Sequence, residues 1–129
     1  MWLFGSEYAD TDPDVTYNPS TLLYYIVWTT TDRTHNSYYT CFLTFLLADT
    51  SNIYGCQVDV TGQPFGDVAV IGDTSYFNGT LIRDHNAILV FEQTHNNYLV
   101  LFEIDLEGND AGATNIVGRR VDIDGVPQE

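Results

Sequence analysis

Three aspartates at alternate positions, Asp10, Asp12 and Asp14 in DTDPDV, have the opening spacing of a calcium loop, in which carboxylates converge on a hard cation. Such a loop needs a glycine at its sixth position and a bidentate glutamate at its twelfth, where this chain has Val15 and Thr21. The simpler reading is an acidic turn entering a strand. Calcium at these three residues is the one metal candidate, and no other cofactor is expected. His35, His85 and His95 sit in polar stretches (DRTHNS, RDHNA, QTHNN), and their spacing does not place them on one face. Cys41 and Cys56 are too far apart for a redox or zinc CxxC pair. If their segments were neighbouring hairpin strands around ADTSN, a disulfide would be geometrically reasonable; two buried free thiols are the alternative. Asn78-Gly79-Thr80 is both an N-glycosylation sequon and a turn signal. A G-x-S-x-G nucleophile elbow does not occur. Paired carboxylates for glycoside hydrolysis are defined by their separation in space, and the chain has only five Glu. No catalytic residue is nominated, and the chain is expected not to be an enzyme.

The charge balance narrows the partners. Eighteen acidic residues face four Arg and no Lys, for a formal charge of −14. Such a surface repels phosphate backbones and anionic headgroups, so nucleic-acid binding and peripheral membrane docking are both disfavoured, and no membrane insertion is expected. No run approaches the roughly 18 apolar residues of a spanning helix, and MWLFGSEYAD lacks the basic start and long apolar stretch of a signal peptide. At 129 residues, 44% hydrophobic and 14% aromatic, the chain can build one core.

The elements that must hold these residues are strands. Thr, Tyr, Val and Ile fill the apolar runs, Gly, Asn, Asp and Pro gather between them, and no i, i+3, i+4, i+7 stripe lasts three turns. Strands are predicted near 14–17, 22–30, 38–47, 53–60, 67–71, 86–93, 98–106 and 115–123. Turns are predicted at YNPS, ADTSN, VTGQP, FNGT, LEGNDAG and IDGVP. The chain also repeats itself. NIYGCQVDVTGQP, from Asn52, returns as NIVGRRVDIDGVP from Asn115, and the same shift of 63 lays YYIVWTTT (24–31) over AILVFEQT (87–94). The reading is a single all-β unit, 1–129, of two repeats, about 1–64 and 65–129. LLYYIVW and YLVLF are apolar at odd and even positions, so both faces of each sheet are expected to be buried against other sheets, as in propeller blades.

VTYNPS, YYIVW, the Asp32-Arg33 turn and IYGCQVDVTGQPFG resemble the propeller-like repeats of large secreted and cell-surface microbial proteins. The matching residues in the first copy include Val15, Tyr17, Asn18, Pro19, Trp28, Asp59, Gly62 and Pro64. In the second copy they include Phe77, Asn78, Gly118, Arg120, Asp122, Gly125 and Pro127. The first copy has Gln57 where the repeats carry Arg and inserts HNSYYTCFLTFLLADTS, and the second lacks the Asp-Arg turn. The resemblance implies two blade-like repeats of about four antiparallel strands each, an extracellular or cell-surface place, and no catalytic residues.

Two blades cannot close a ring alone. The expected function is therefore a structural or adhesive β-repeat protein that self-associates into a scaffold, filament or ring, or packs against neighbouring repeats of a longer chain. The alternative is a lectin-like module that binds carbohydrate in a polar cleft between repeats. Trp28, Tyr24, Tyr25 and Phe91, inside apolar strands, are expected to be core anchors and not sugar platforms.

Overall fold

The computed structural model describes residues 9–32, 50–72, 76–77, 80–106 and 113–129. They form β1 (Ala9–Asn18), β2 (Leu23–Asp32), β3 (Thr50–Val58), β4 (Pro64–Gly72), β5 (Tyr76–Phe77), β6 (Thr80–Glu92), β7 (Asn97–Leu106) and β8 (Ala113–Val121). Two antiparallel meanders result. The first runs β1-β2-β3-β4; the second runs β6-β7-β8, with the two-residue β5 on the β6 edge. Among the described residues there is no helix long and apolar enough to cross a membrane.

The turns follow the chemistry of their residues. In the β3–β4 turn Gly62 donates its N–H to Asp59 O and takes φ +84°, a left-handed conformation open to glycine. The Asp59 carboxylate accepts from the N–H of Thr61 and of Gln63 and from the Thr61 hydroxyl. The turn after β8 repeats this: Gly125, also at φ +84°, donates to Asp122 O, and the Asp122 carboxylate accepts from the N–H of Asp124 and of Val126. VTGQP and IDGVP are thus one aspartate-held turn made twice.

The structural repeat is tighter than the sequence repeat and differs from it in one place. β3 and β8 coincide at a shift of 63, as expected, and the bridges Val58 to Pro64 and Val121 to Pro127 correspond. The hairpin before them follows a shift of 74. The β1–β2 register breaks between Thr11 and Asp14, and the β6–β7 register between His85 and Ile88. The left-handed residues Asp12 and Leu22 of the first copy are matched by Asn86 and Asn96 of the second. The counterpart of β2 is therefore β7, and the alignment of 24–31 with 87–94 is corrected to 98–105. Both stretches are apolar alternations that lead into a turn, so pattern alone could not distinguish them. The longer 33–49 connection of the first copy absorbs the difference of 11.

Two further expectations change. ADTSN is not all loop, because Thr50, Ser51 and Asn52 pair with Asp32, Thr31 and Thr30 in β3. β3 also pairs with β4 on its other edge, so neither edge remains for a hairpin with 38–47, a predicted strand that lies outside the described residues.

The sheets pack face to face. Tyr25, Val27, Ile53 and Ile71 from the first meet Ala87, Tyr98, Val100, Phe102 and Val121 from the second, and all are buried. The outer face of the second sheet does not match the expectation of burial on both sides: Ile88 is 60% exposed, Val90 56% and Ile116 75%. On the outer face of the first sheet the burial is mixed: Trp28, Cys56 and Val58 are buried, whereas Val15, Tyr17 and Tyr24 are exposed.

Candidate functional site

Two features are candidates for a functional surface: a polar cleft between the sheets, and the apolar residues exposed on the sheets. The cleft, about 240 Å³, is lined by Thr11, Asp12, Thr29, Thr31, Ser51, Arg83, His85 and Asp105. The bulges of β1 and β6 bring its walls together. His85 Nε2 donates to Asp105 Oδ2 at 2.7 Å, and its Nδ1 lies 3.5 Å from Glu103. Thr114 donates to the other oxygen of Asp105 at 2.7 Å, and Asn86 donates to Glu103. The Thr114 hydrogen bond holds the Asp105 carboxyl below its usual range; burial opposes this, and His85 adds to it. The Thr29 hydroxyl is buried beside the cleft with no hydrogen-bond partner. Sequence reasoning singled out His85 here but missed the hydroxyls, which become a set only when β2 and β3 pair.

The aspartate triplet is not gathered into a metal loop. DTDPDV is a strand, so its carboxylates are spread along β1 and turned to separate partners. Asp10 accepts from the Thr30 hydroxyl at 2.7 Å, Asp12 accepts from Thr11, and Asp14 accepts from the Leu89 N–H of the other sheet at 2.7 Å. Among the described residues, no three His, Cys, Asp or Glu side chains converge on a shared point. His95 is exposed and donates to Glu92 at 2.6 Å, apart from His85; His35 lies outside the described residues. Cys56 is a buried free thiol whose Sγ is 3.1 Å from Gln57 O, and burial raises its pKa. Its expected partner Cys41, like Asn78 of the sequon, lies outside the described residues.

The interface between the sheets is fastened by polar contacts at its rims. Asn18, fully buried, donates to the Tyr98 hydroxyl at 3.1 Å, and Ser20 donates to Asn96. Tyr25 reaches Gly125 O, and Gln57 donates to Ile123 O at 2.7 Å, so two side chains of the first sheet hold the aspartate turn of the second. Arg119 donates to Ile71 O at 2.6 Å. A groove of about 510 Å³ beside it runs between β4 and β8, lined by Ile71, Gly72, Phe102, Val117 and Gln128.

Trp28 stacks on Tyr54 and donates to Thr30 on the outer face of the first sheet. Tyr25 and Phe91 pack at the interface against Tyr98, as anchors. Tyr24, expected to be an anchor too, is 39% exposed beside Tyr17 on that outer face, because its neighbour Tyr25 takes the inward side of the pleat.

These groups set the pH dependence of stability. The Asp59 carboxyl is lowered, chiefly by the Thr61 hydroxyl and the Gln63 N–H. Burial acts to raise Glu92, but hydrogen bonds from His95 and Thr94 outweigh it and bring the carboxyl to about 2. Groups with depressed folded values stabilise the fold above the ordinary carboxylate range and lose that contribution as pH falls through the folded values. Burial raises the Tyr25 phenol, so its contribution is complete below the ordinary tyrosine value and declines above it. Thermal melting should show a plateau near neutrality, an acid decline below about pH 4 and an alkaline decline above about pH 10. Tyr25→Phe should lessen the alkaline decline and leave the part that comes from the Cys56 thiol, which burial also raises.

The fold and its interface define an all-β repeat protein of two antiparallel meanders. Compared with known protein families and with curated proteins, the chain matches none.

Proposed function

We propose that the chain is a non-enzymatic structural protein of blade-like β-repeats of the propeller type, which self-associates at an extracellular or cell-surface place into a scaffold, filament or ring. The observation that carries this is the apolar surface left exposed on both sheets. Val15, Tyr17, Tyr24, Val68 and Val70 are exposed on the first sheet, and Ile88, Val90 and Ile116 on the second. Patches of this kind on a protein of charge −14 mark surfaces that meet other surfaces. The hydrophobic gain of assembly acts against repulsion between like-charged copies, so salt should strengthen association. Light scattering over a range of concentration and ionic strength tests the reading. Mass should rise above one chain as either increases; the mass of a single chain throughout overturns it.

The cleft favours a second reading, a lectin-like module. Four hydroxyl side chains, one of them buried without a partner, line a space about the size of a monosaccharide between the repeats. Sugar-induced NMR shifts confined to Thr29, Thr31 and Ser51 would favour it; their absence at millimolar sugar would dismiss it.

A further inference from the structure

We infer that two copies of this chain pair through the outer face of the second sheet, each laying that face on the same face of the other. The two-fold axis that relates them runs across the strands. The inference rests on the self-association reading and adds the surface and symmetry of its first contact.

The strand registers define the face. Tyr98, Val100 and Phe102 of β7 are buried in the core, so Leu99, Leu101, Glu103 and Asp105 lie on the outer side. An added Cβ at Gly118 would meet the side chains of Leu101 and Leu99, which places this glycine on the same side. Read along the strands, a row of Val90, Leu99 and Arg120 is followed by a row of Ile88, Leu101 and Gly118. Glu103 and Ile116 form the next row, and Asp105 stands beyond it. Val90, Ile88 and Ile116 are exposed, so the middle of the face is apolar.

The face is the counterpart of one that already packs sheet on sheet. The buried Tyr25 and Val27 of the first repeat correspond to Leu99 and Leu101, and Ile53 and Gly55 correspond to Ile116 and Gly118. The two meanders therefore turn opposite faces inward. The outer face of the first sheet of another copy cannot serve as the cover, because Trp28, Cys56 and Val58 on it are already buried. The matching surface in another copy is the same face, and such a contact is isologous.

Charge selects the axis. The exposed Arg120 stands at one end of the apolar rows, and the half-exposed Glu103 and Asp105 stand at the other. A two-fold axis along β7 would set Glu103 against Glu103 and Asp105 against Asp105, which like-charge repulsion opposes. An axis across the strands at the Leu101 row exchanges the ends. Leu101 then meets Leu101, Ile88 meets Ile88, and Arg120 of each copy comes over the end of the other that carries Glu103. The two acidic ends are kept apart.

Three variants of the full chain test this by sedimentation equilibrium, with circular dichroism and melting to verify that each folds. Ile88→Glu sets two carboxylates against each other on the axis, at an exposed position. It should keep the chain single at concentrations where the parent is paired. Arg120→Glu and Glu103→Arg should each weaken pairing about tenfold, because every pair contains the contact twice. Glu103→Arg reduces the net negative charge, so general repulsion cannot produce its loss. Mixed in equal amounts, these two variants should form a mixed pair as tight as the parent's, since both contacts are again of opposite sign. No gain on mixing overturns the axis. Pairing of Ile88→Glu at the parent's strength overturns the face. In both cases self-association stands. A parent that is a single chain at every concentration and salt overturns both readings.

Discussion

Replacing Tyr98 by alanine should lower the free energy of unfolding by about 3–5 kcal/mol. The ring is fully buried between the sheets, stacked on Tyr25 at 4.7 Å between centroids and tilted against Phe91 at 5.6 Å. Truncation removes these contacts and leaves a cavity walled by two sheets, which can close over it only by moving together. It also strands the Asn18 amide, whose Nδ2 donates to the lost hydroxyl. A buried donor without a partner adds to the cost. Tyr98→Phe isolates that last part, because the ring stays and only the hydroxyl goes; the expected loss is about 1–2 kcal/mol. Urea denaturation of both variants with an unchanged slope gives the two numbers. A loss below about 1.5 kcal/mol for Tyr98→Ala would mean that the ring is not the centre of the interface.

Gly55→Val is the second large effect. A Cβ at Gly55 would come within 2.6 Å of Tyr25 Oη, 2.8 Å of its Cε1 and 2.9 Å of its Cζ. The Tyr25 ring cannot give way, since Tyr98 stacks on one face and the Gly125 turn stands at its edge, with Tyr25 Cε2 only 3.3 Å from where a Gly125 Cβ would sit. The expected cost is about 3 kcal/mol, at the upper end for overpacking a core. Gly118, the counterpart of Gly55 in the second repeat, provides the control. Its added Cβ would meet the Leu101 Cδ2 methyl at 3.0 Å on an open face, where that side chain can turn aside. Gly118→Val should therefore cost under about 1 kcal/mol in the isolated chain. Equal losses at the two glycines would contradict the assignment of opposite buried faces.

These experiments probe the level at which sequence reasoning succeeded and the level at which it stopped. Most strands were legible because β-branched and aromatic runs end at Gly, Asn, Asp and Pro; β4, for example, was expected over 67–71 and runs Pro64–Gly72. The repeated aspartate turns were legible too, since Asp59 with Gly62 and Asp122 with Gly125 are local devices whose chemistry acts within five residues. The hydroxyl cleft was not legible, because Thr11, Thr29, Ser51 and Asp105 come together only when strands from both sheets are in place. The aspartate triplet was ambiguous for a related reason: alternate spacing serves a metal loop or a strand equally, and the Leu89 N–H that Asp14 accepts from is 75 residues away.

By itself the sequence determined an all-strand chain of two related halves, because side-chain period, turn residues and self-similarity are carried by neighbours along the chain. Tertiary structure alone decided which half-hairpins correspond and which face of each meander turns inward. Both strands of a pleated pair are apolar on each side, so propensity is indifferent between the faces. The choice falls to long-range fit: the Tyr25 ring over Gly55, the Asn18 amide on Tyr98, and the Gln57 amide on the distant turn.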